Sequence, residues 1–169
     1  MVGAGGGMSA EPISAAQEAR VRDAFAGQGM MKTLGATLTR VARGEVEIVL
    51  PFAPHIAQQH GFIHAGGLTT VVDNAGGFAA MTLMPEGMEV LTIEFKVNFL
   101  SPAIGQRFLA TGRVRRSGRQ IFVVDGEVVA EDSQGDRKTV AIMLATMMGV
   151  RLDLPRAPAP ARSDVPAEQ

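Results

Sequence analysis

Hydrophobic and polar positions repeat along this chain with two different periods. From Glu89 to Leu100 the period is two, with Leu91, Ile93, Phe95, Val97 and Phe99 on one side and Thr92, Glu94, Lys96 and Asn98 on the other. Such alternation is the pattern of a half-buried strand. Runs at 32–41, 45–52, 106–115, 120–131 and 138–150 also read as strands. Gly44 joins the first two, and the turn signals 116-RSGR-119 and 132-DSQGDR-137 separate the last three. Hairpin signals of this kind predict an antiparallel meander. Ser14 and Gln17 are spaced as a capping box, ahead of a helix that carries Val21 and Phe25 on one stripe and ends near Gly27 to Gly29. A longer helix is predicted within 60-HGFIHAGGLTTVVDNAGGFAAM-81. One long helix against one curled antiparallel sheet of about six strands, with a short N-terminal helix, is an α+β arrangement.

The long helix is built from poor material. It holds Gly66, Gly67, Gly76 and Gly77, and each interior glycine costs about 1 kcal/mol relative to alanine. At about 100° per residue, Gly66, Thr69, Thr70, Gly76, Gly77 and Ala80 fall near Asp73. Leu68, Val71, Val72, Ala75, Phe78, Ala79 and Leu83 fall on the other side. Burying that apolar side, at about 1.5–3 kcal/mol per large side chain, offsets the lost propensity. The small side is expected to let a backbone or a ligand approach Asp73 closely. A lone Asp on a helix is ordinarily just solvated, so the residues upstream decide its meaning. His64 stands at the helix start, followed by Ala65, Gly66 and Gly67, whose N–H groups lack intrahelical partners and suit an oxyanion. Free N–H donors and a carboxylate two turns along form a constellation for acyl transfer.

Composition narrows the classes. With 169 residues the chain suits one domain with tails, expected at 13–151 between a disordered stretch at 1–12 and a Pro/Ala-rich one at 152–169. The opening MVGAGGG lacks the preceding strand that a phosphate-binding glycine loop needs, and Met8 stands as an alternative first residue. A net charge of −1 argues against nucleic acid or an anionic membrane surface as partner. No cysteine is present, which removes disulfides, thiolate metal sites and a cysteine nucleophile. His60 and His64 are four apart, but His60 precedes the helix and no third ligand lies near, so no metal is expected. No apolar run reaches the roughly 18 residues of a spanning helix and no signal peptide is visible, so a cytoplasmic location is expected.

The run Gln58-Gln59-His60-Gly61-Phe62-Ile63-His64-Ala65-Gly66-Gly67, with Asp73 nine positions after His64, resembles the hotdog-fold acyl-CoA thioesterases of the phenylacetic-acid-degradation type. The segment 92-TIEFKVNFLSPA-103, Gly105 and 116-RSGRQ-120 continue the likeness, which covers roughly residues 30 to 150. The resemblance implies a hotdog fold and a thioester hydrolase of an aryl- or medium-chain acyl-CoA. It implies that Asp73 is the general base or the nucleophile and that the Ala65 N–H polarises the thioester carbonyl. Gln58 would orient water or substrate and Thr92 would support the carboxylate; His64, expected to fix the helix entry by hydrogen bonding, and Gly66 complete the candidate catalytic set. It further implies a site shared across a homodimer at least, with tetramers common, Asp73 and Thr92 coming from one subunit and Gln58 and Ala65 from its partner. Many members carry Gly where this chain has Ala65, which puts the acyl preference in doubt more than the chemistry.

Coenzyme A carries phosphates, so a basic lip is expected, as part of substrate binding and with no separate cofactor. Arg113, Arg115, Arg116 and Arg119 cluster at the 116-RSGR-119 turn. By the resemblance Arg116, Ser117, Gly118 and Arg119 are the candidates, with Thr146 a weaker one. Pocket shape is expected to depend on residues around Met81, Met84 and Met88. Two rival readings stay open at this stage: a hydratase or dehydratase on the same fold, which would want a catalytic His that does not follow Asp73 here, and a non-catalytic acyl-CoA sensor.

Overall fold

The computed structural model describes residues 12–151. Tails expected at 1–12 and 152–169 lie outside the described residues, Pro12 excepted. Helix α1 (Ala15–Gly27) starts at Ser14, whose side-chain oxygen accepts from the Gln17 N–H at 3.2 Å. A short helix α2 (Gly29–Leu34) follows, then strands β1 (Thr37–Ala42) and β2 (Glu45–Pro51), helix α3 (Ala65–Met81) and strands β3 (Glu89–Phe99), β4 (Arg107–Ser117), β5 (Ile121–Glu131) and β6 (Arg137–Val150). All pairings are antiparallel, in the order β1-β2-β4-β5-β6-β3.

Helix α2 corrects the expected strand over 32–41, because Lys32, Thr33 and Leu34 are helical and only Thr37 onward is extended. Met31 and Leu34, three apart, are both buried, which is the spacing of a helical face. Gly35, at φ 66°, closes the turn and turns the chain out into β1.

The sheet curls around α3, and the two touch nearly backbone to backbone. A Cβ at Gly112 on β4 would lie 2.3 Å from the Ala75 carbonyl carbon and the Gly76 nitrogen, closer than any side chain permits. Val71, Val72, Ala75, Ala79 and Ala80 are fully buried against this surface. The curl reaches further round the helix than the spacing of about 100° per residue suggests. Gly76 and Ala80, expected on the open side, are buried, and a Cβ at Gly76 would sit 3.1 Å from both Met143 and Val124. Helix α1 covers part of the remaining surface, with Phe25 and Phe78 ring centroids 6.1 Å apart.

Strand β3 departs from strict alternation. Thr92 pairs with Met147 and Glu94 with the adjacent Thr146, so Ile93 is an extra, bulged residue. The bulge switches faces. Val90 and Thr92 point toward α3 before it, and Phe95, Val97 and Phe99, opposite Ala145, Met143 and Ala141, point that way after it. Leu91, Glu94, Lys96 and Asn98 therefore share the outer face, contrary to the expected grouping of Leu91 with Phe95, Val97 and Phe99. Nor is the apolar row buried within one chain. Phe95 and Phe99 remain 45% and 49% exposed, because β3 is an edge strand and they lie past the stretch where Val90 and Thr92 meet α3.

Candidate active site

Asp73 sits on the middle of α3, facing the start of β3. The Thr92 hydroxyl, turned inward ahead of the bulge, donates to Asp73 Oδ1 at 2.9 Å and also lies 3.3 Å from the Met147 sulfur. Half-burial raises the Asp73 carboxyl above the ordinary aspartate range, and the Thr92 hydrogen bond opposes that rise without cancelling it. The carboxylate opens into a small niche of about 130 Å³, lined also by Gln28, Asn74, Gly77, Val90 and Thr92. Of the four glycines of α3, Gly77 alone lines this niche, where a Cβ would come 3.7 Å from Val90.

At the N-terminus of α3, His64 is the cap residue, its Nδ1 accepting from the Gly66 N–H at 2.9 Å. The His64 carbonyl accepts from Gly67 at 2.9 Å. Of the three amides expected to be free, Gly66 and Gly67 are thus committed to His64. The Ala65 N–H, at the first helical position, stays outside the helical ladder and bonds to no described residue. Ala65 and Gln58 line one cavity of about 430 Å³, whose walls include Phe62, Leu68, Phe99 and Pro102. Gln58 is held there by its backbone, which donates to Phe62 and accepts from Gly61.

The two halves do not meet within one chain. Eight residue steps of helix separate Ala65 from Asp73, about 12 Å at 1.5 Å per residue, and the two open into different cavities. A single carbonyl cannot contact both.

The arginine cluster divides. Arg113 pairs with Glu45 at 2.8 Å and Arg115 with Asp125 at 2.5 Å, both on the outer face of the sheet. Arg116 and Arg119 make no ion pair among the described residues, and together with Gly118, Gln120, Ile121 and Val123 they line a cavity of about 450 Å³. Gly118 is needed at this tip, since a Cβ would lie 2.7 Å from the Ile121 carbonyl oxygen. Ser117 and Thr146 do not line that cavity, and the Thr146 hydroxyl is given to Glu94 at 2.6 Å. Met81 and Met84 are buried at the far end of α3, lining a groove against α1 and not the Asp73 niche. Sequence reasoning missed Gln28 and Asn74 as neighbours of Asp73. Asn74 could have been found from its place on the helix, whereas nothing in 27-GQG-29 marks more than a helix end.

A curled six-stranded antiparallel sheet wrapped on one glycine-rich helix is the hotdog fold. The Thioesterase superfamily pattern matches residues 60–135. A thioesterase family protein from Silicibacter pomeroyi has a crystal structure 44% identical in sequence, with a TM-score of 0.78, covering 80% of this chain and 98% of that one. The acyl-coenzyme A thioesterase PaaI of Escherichia coli is 27% identical over 112 residues, 66% of this chain and 75% of the relative. The structure of the E. coli PaaI protein from the phenylacetic acid degradation operon has a TM-score of 0.72 at 22% identity, covering 82% and 96% of the two chains. The chain belongs to the thioesterase superfamily, and it is an enzyme of thioester hydrolysis.

Proposed function

We propose that the protein hydrolyses an aryl- or medium-chain acyl-CoA to the free acid and coenzyme A, at a site completed by a second copy of the chain. The observation that carries the reading is the division of the site. Asp73 and Thr92 occupy one cavity and Ala65 and Gln58 another, about 12 Å apart along one helix. The free edge of β3 supports a twofold partner, because an 11-residue edge strand with exposed Phe95 and Phe99 invites pairing. A partner placed there would bring its Ala65 N–H toward this chain's Asp73. The outer sheet face, where Ile142 and Leu144 are 41% and 56% exposed, doubles the resulting homodimer to a tetramer.

In the reaction the Ala65 N–H holds the developing oxyanion, Asp73 serves as base or nucleophile, and Thr92 fixes its orientation. Gln58 lies beside the oxyanion donor and orients substrate. Arg116 and Arg119, without an ion pair among the described residues and flanking one cavity, take the coenzyme A phosphates. Arg116 pairs with Val123 on the outer face of the sheet, opposite Asp73, so the lip serves the site of another copy. No cofactor or metal takes part, and a cytoplasmic setting belongs to the same proposal. Among the described residues, no helix is long and apolar enough to cross a membrane.

A panel of acyl-CoAs, followed by release of free thiol, tests the reading. Thiol release from aryl or medium-chain substrates is expected. A change in enoyl absorbance without thiol would mark a hydratase, and tight binding without turnover a sensor; either result ends the proposal.

A further inference from the structure

The niche in front of Asp73 is small. Its volume of about 130 Å³ has room for water. Its polar groups are partly apportioned. Thr92 gives its proton to Asp73 Oδ1, and the Asn74 amide nitrogen donates to the Thr70 carbonyl at 3.0 Å. Gln28, half-buried at the joint between α1 and α2, caps neither helix with its side chain and bonds to no described residue through its carboxamide. Its backbone is what the joint uses: the N–H donates to Phe25 and the carbonyl accepts from Lys32. The fold therefore brings Gln28, whose carboxamide is uncommitted among the described residues, to the same small space as Asp73, whose second carboxylate oxygen is uncommitted.

We propose that Gln28 and Asp73 of one chain together hold the water that attacks the thioester, and that Asp73 acts as general base. The water donates one proton to Asp73 and the other to Gln28 Oε1, which leaves an oxygen lone pair for the carbonyl carbon. Attack forms the C–O bond and moves the water proton to Asp73, while the carbonyl electron pair goes to the oxyanion. Collapse breaks the C–S bond, and the proton on Asp73 passes to the departing thiolate. Products are the carboxylic acid, which loses its remaining proton to solvent, and the thiol; Asp73 is ionised again as soon as its proton has passed to the thiolate. Gln28 touches the reacting water, and so counts as a catalytic residue.

The inference rests on the thioesterase reading, and the test separates the two. Hydrolysis is run in aqueous methanol, and the ratio of methyl ester to free acid is measured for wild type and Gln28→Ala. Methanol brings one extra methyl group, and a fitted niche discriminates against such a group by about tenfold or more. Removing the Gln28 side chain is expected to raise the ester-to-acid ratio about tenfold and to lower kcat by up to about 10²-fold, with KM little changed. The ratio is internal to each reaction, so partial misfolding does not alter it, and Gln28→Asn supplies a shorter amide if the alanine variant fails to fold. An unchanged ratio in a folded variant, with thiol release intact, overturns the role of Gln28 alone. Absence of thiol release from the wild type overturns the thioesterase reading itself. In single turnover in oxygen-18 water, label is expected in the product acid, and label in the Asp73 carboxylate overturns the general-base step.

Discussion

Asp73 is held between two opposing influences. Burial favours its protonated form and the Thr92 hydroxyl favours the ionised one, with burial the larger. A carboxyl raised in the folded state binds its proton more tightly than in the unfolded chain. Ionised Asp73 therefore costs stability at neutral pH, and that cost disappears as pH falls through the folded value toward the ordinary value of 3.8. Asp73→Asn is expected to abolish thiol release while raising the melting temperature at pH 7, with the gain shrinking toward pH 4. A variant no more stable at pH 7 than at pH 4, relative to wild type, would contradict this account. Thr92→Val removes the opposing hydrogen bond, so the acid limb of kcat/KM should move to higher pH; a limb that stays in place would show that the hydroxyl does not bond to the ionised carboxylate. Ala65→Pro removes a single N–H at a helix position where Pro is tolerated. A rate loss of about 10²–10³ is expected for a lost oxyanion donor, read from kcat in a variant of unchanged circular dichroism.

At the scale of elements, the contact between α3 and β4 sets the position of everything on the helix. Gly112 lets the sheet approach to where a Cβ would be 2.3 Å from the Ala75 carbonyl carbon. Gly112→Ala must push α3 off the sheet, and overpacking of this kind typically costs about 1–3 kcal/mol. Chemical denaturation should show that loss, with activity falling further than stability because Asp73 and Ala65 ride on the displaced helix. Equal stability in the variant would mean the close approach is not needed. The bulge at Ile93 has a comparable consequence. Without the extra residue, Thr92 and Phe95 would face opposite sides, so the strand could not offer both a hydroxyl to Asp73 and a row of phenylalanines beside the N-terminal end of α3.

For the whole molecule, the proposed division of the site between copies has a numerical consequence. Asp73→Asn carries an intact Ala65, and Ala65→Pro an intact Asp73. When equal amounts are unfolded and refolded together, random pairing makes half the dimers mixed, and each mixed dimer has one intact site of two, about a quarter of wild-type activity. Each variant alone should stay near background. A mixture as inactive as its parts would place both groups within one subunit. Phe95→Lys on the exposed edge row should shift the sedimentation coefficient toward the monomer and abolish activity together with it.

Local chemistry made much of this legible from the amino acids alone. The Ser14 cap, the turns at Gly44 and 116–119 and the four long strands after Pro85 follow from neighbouring residues, because capping, turn geometry and pleating act over a few positions. Asp73 and Ala65 could be singled out because a helix fixes the spacing along its own axis. What the sequence could not show were relations between elements. The short helix α2 competes with β1 for the same residues and wins through burial of Met31 and Leu34 in the assembled core. One bulged residue reverses the face of β3, the curl of the sheet decides which glycines of α3 are covered, and the fold carries Gln28 to a carboxylate 45 positions away. Such matters depend on how surfaces meet in space, so tertiary packing alone decided them.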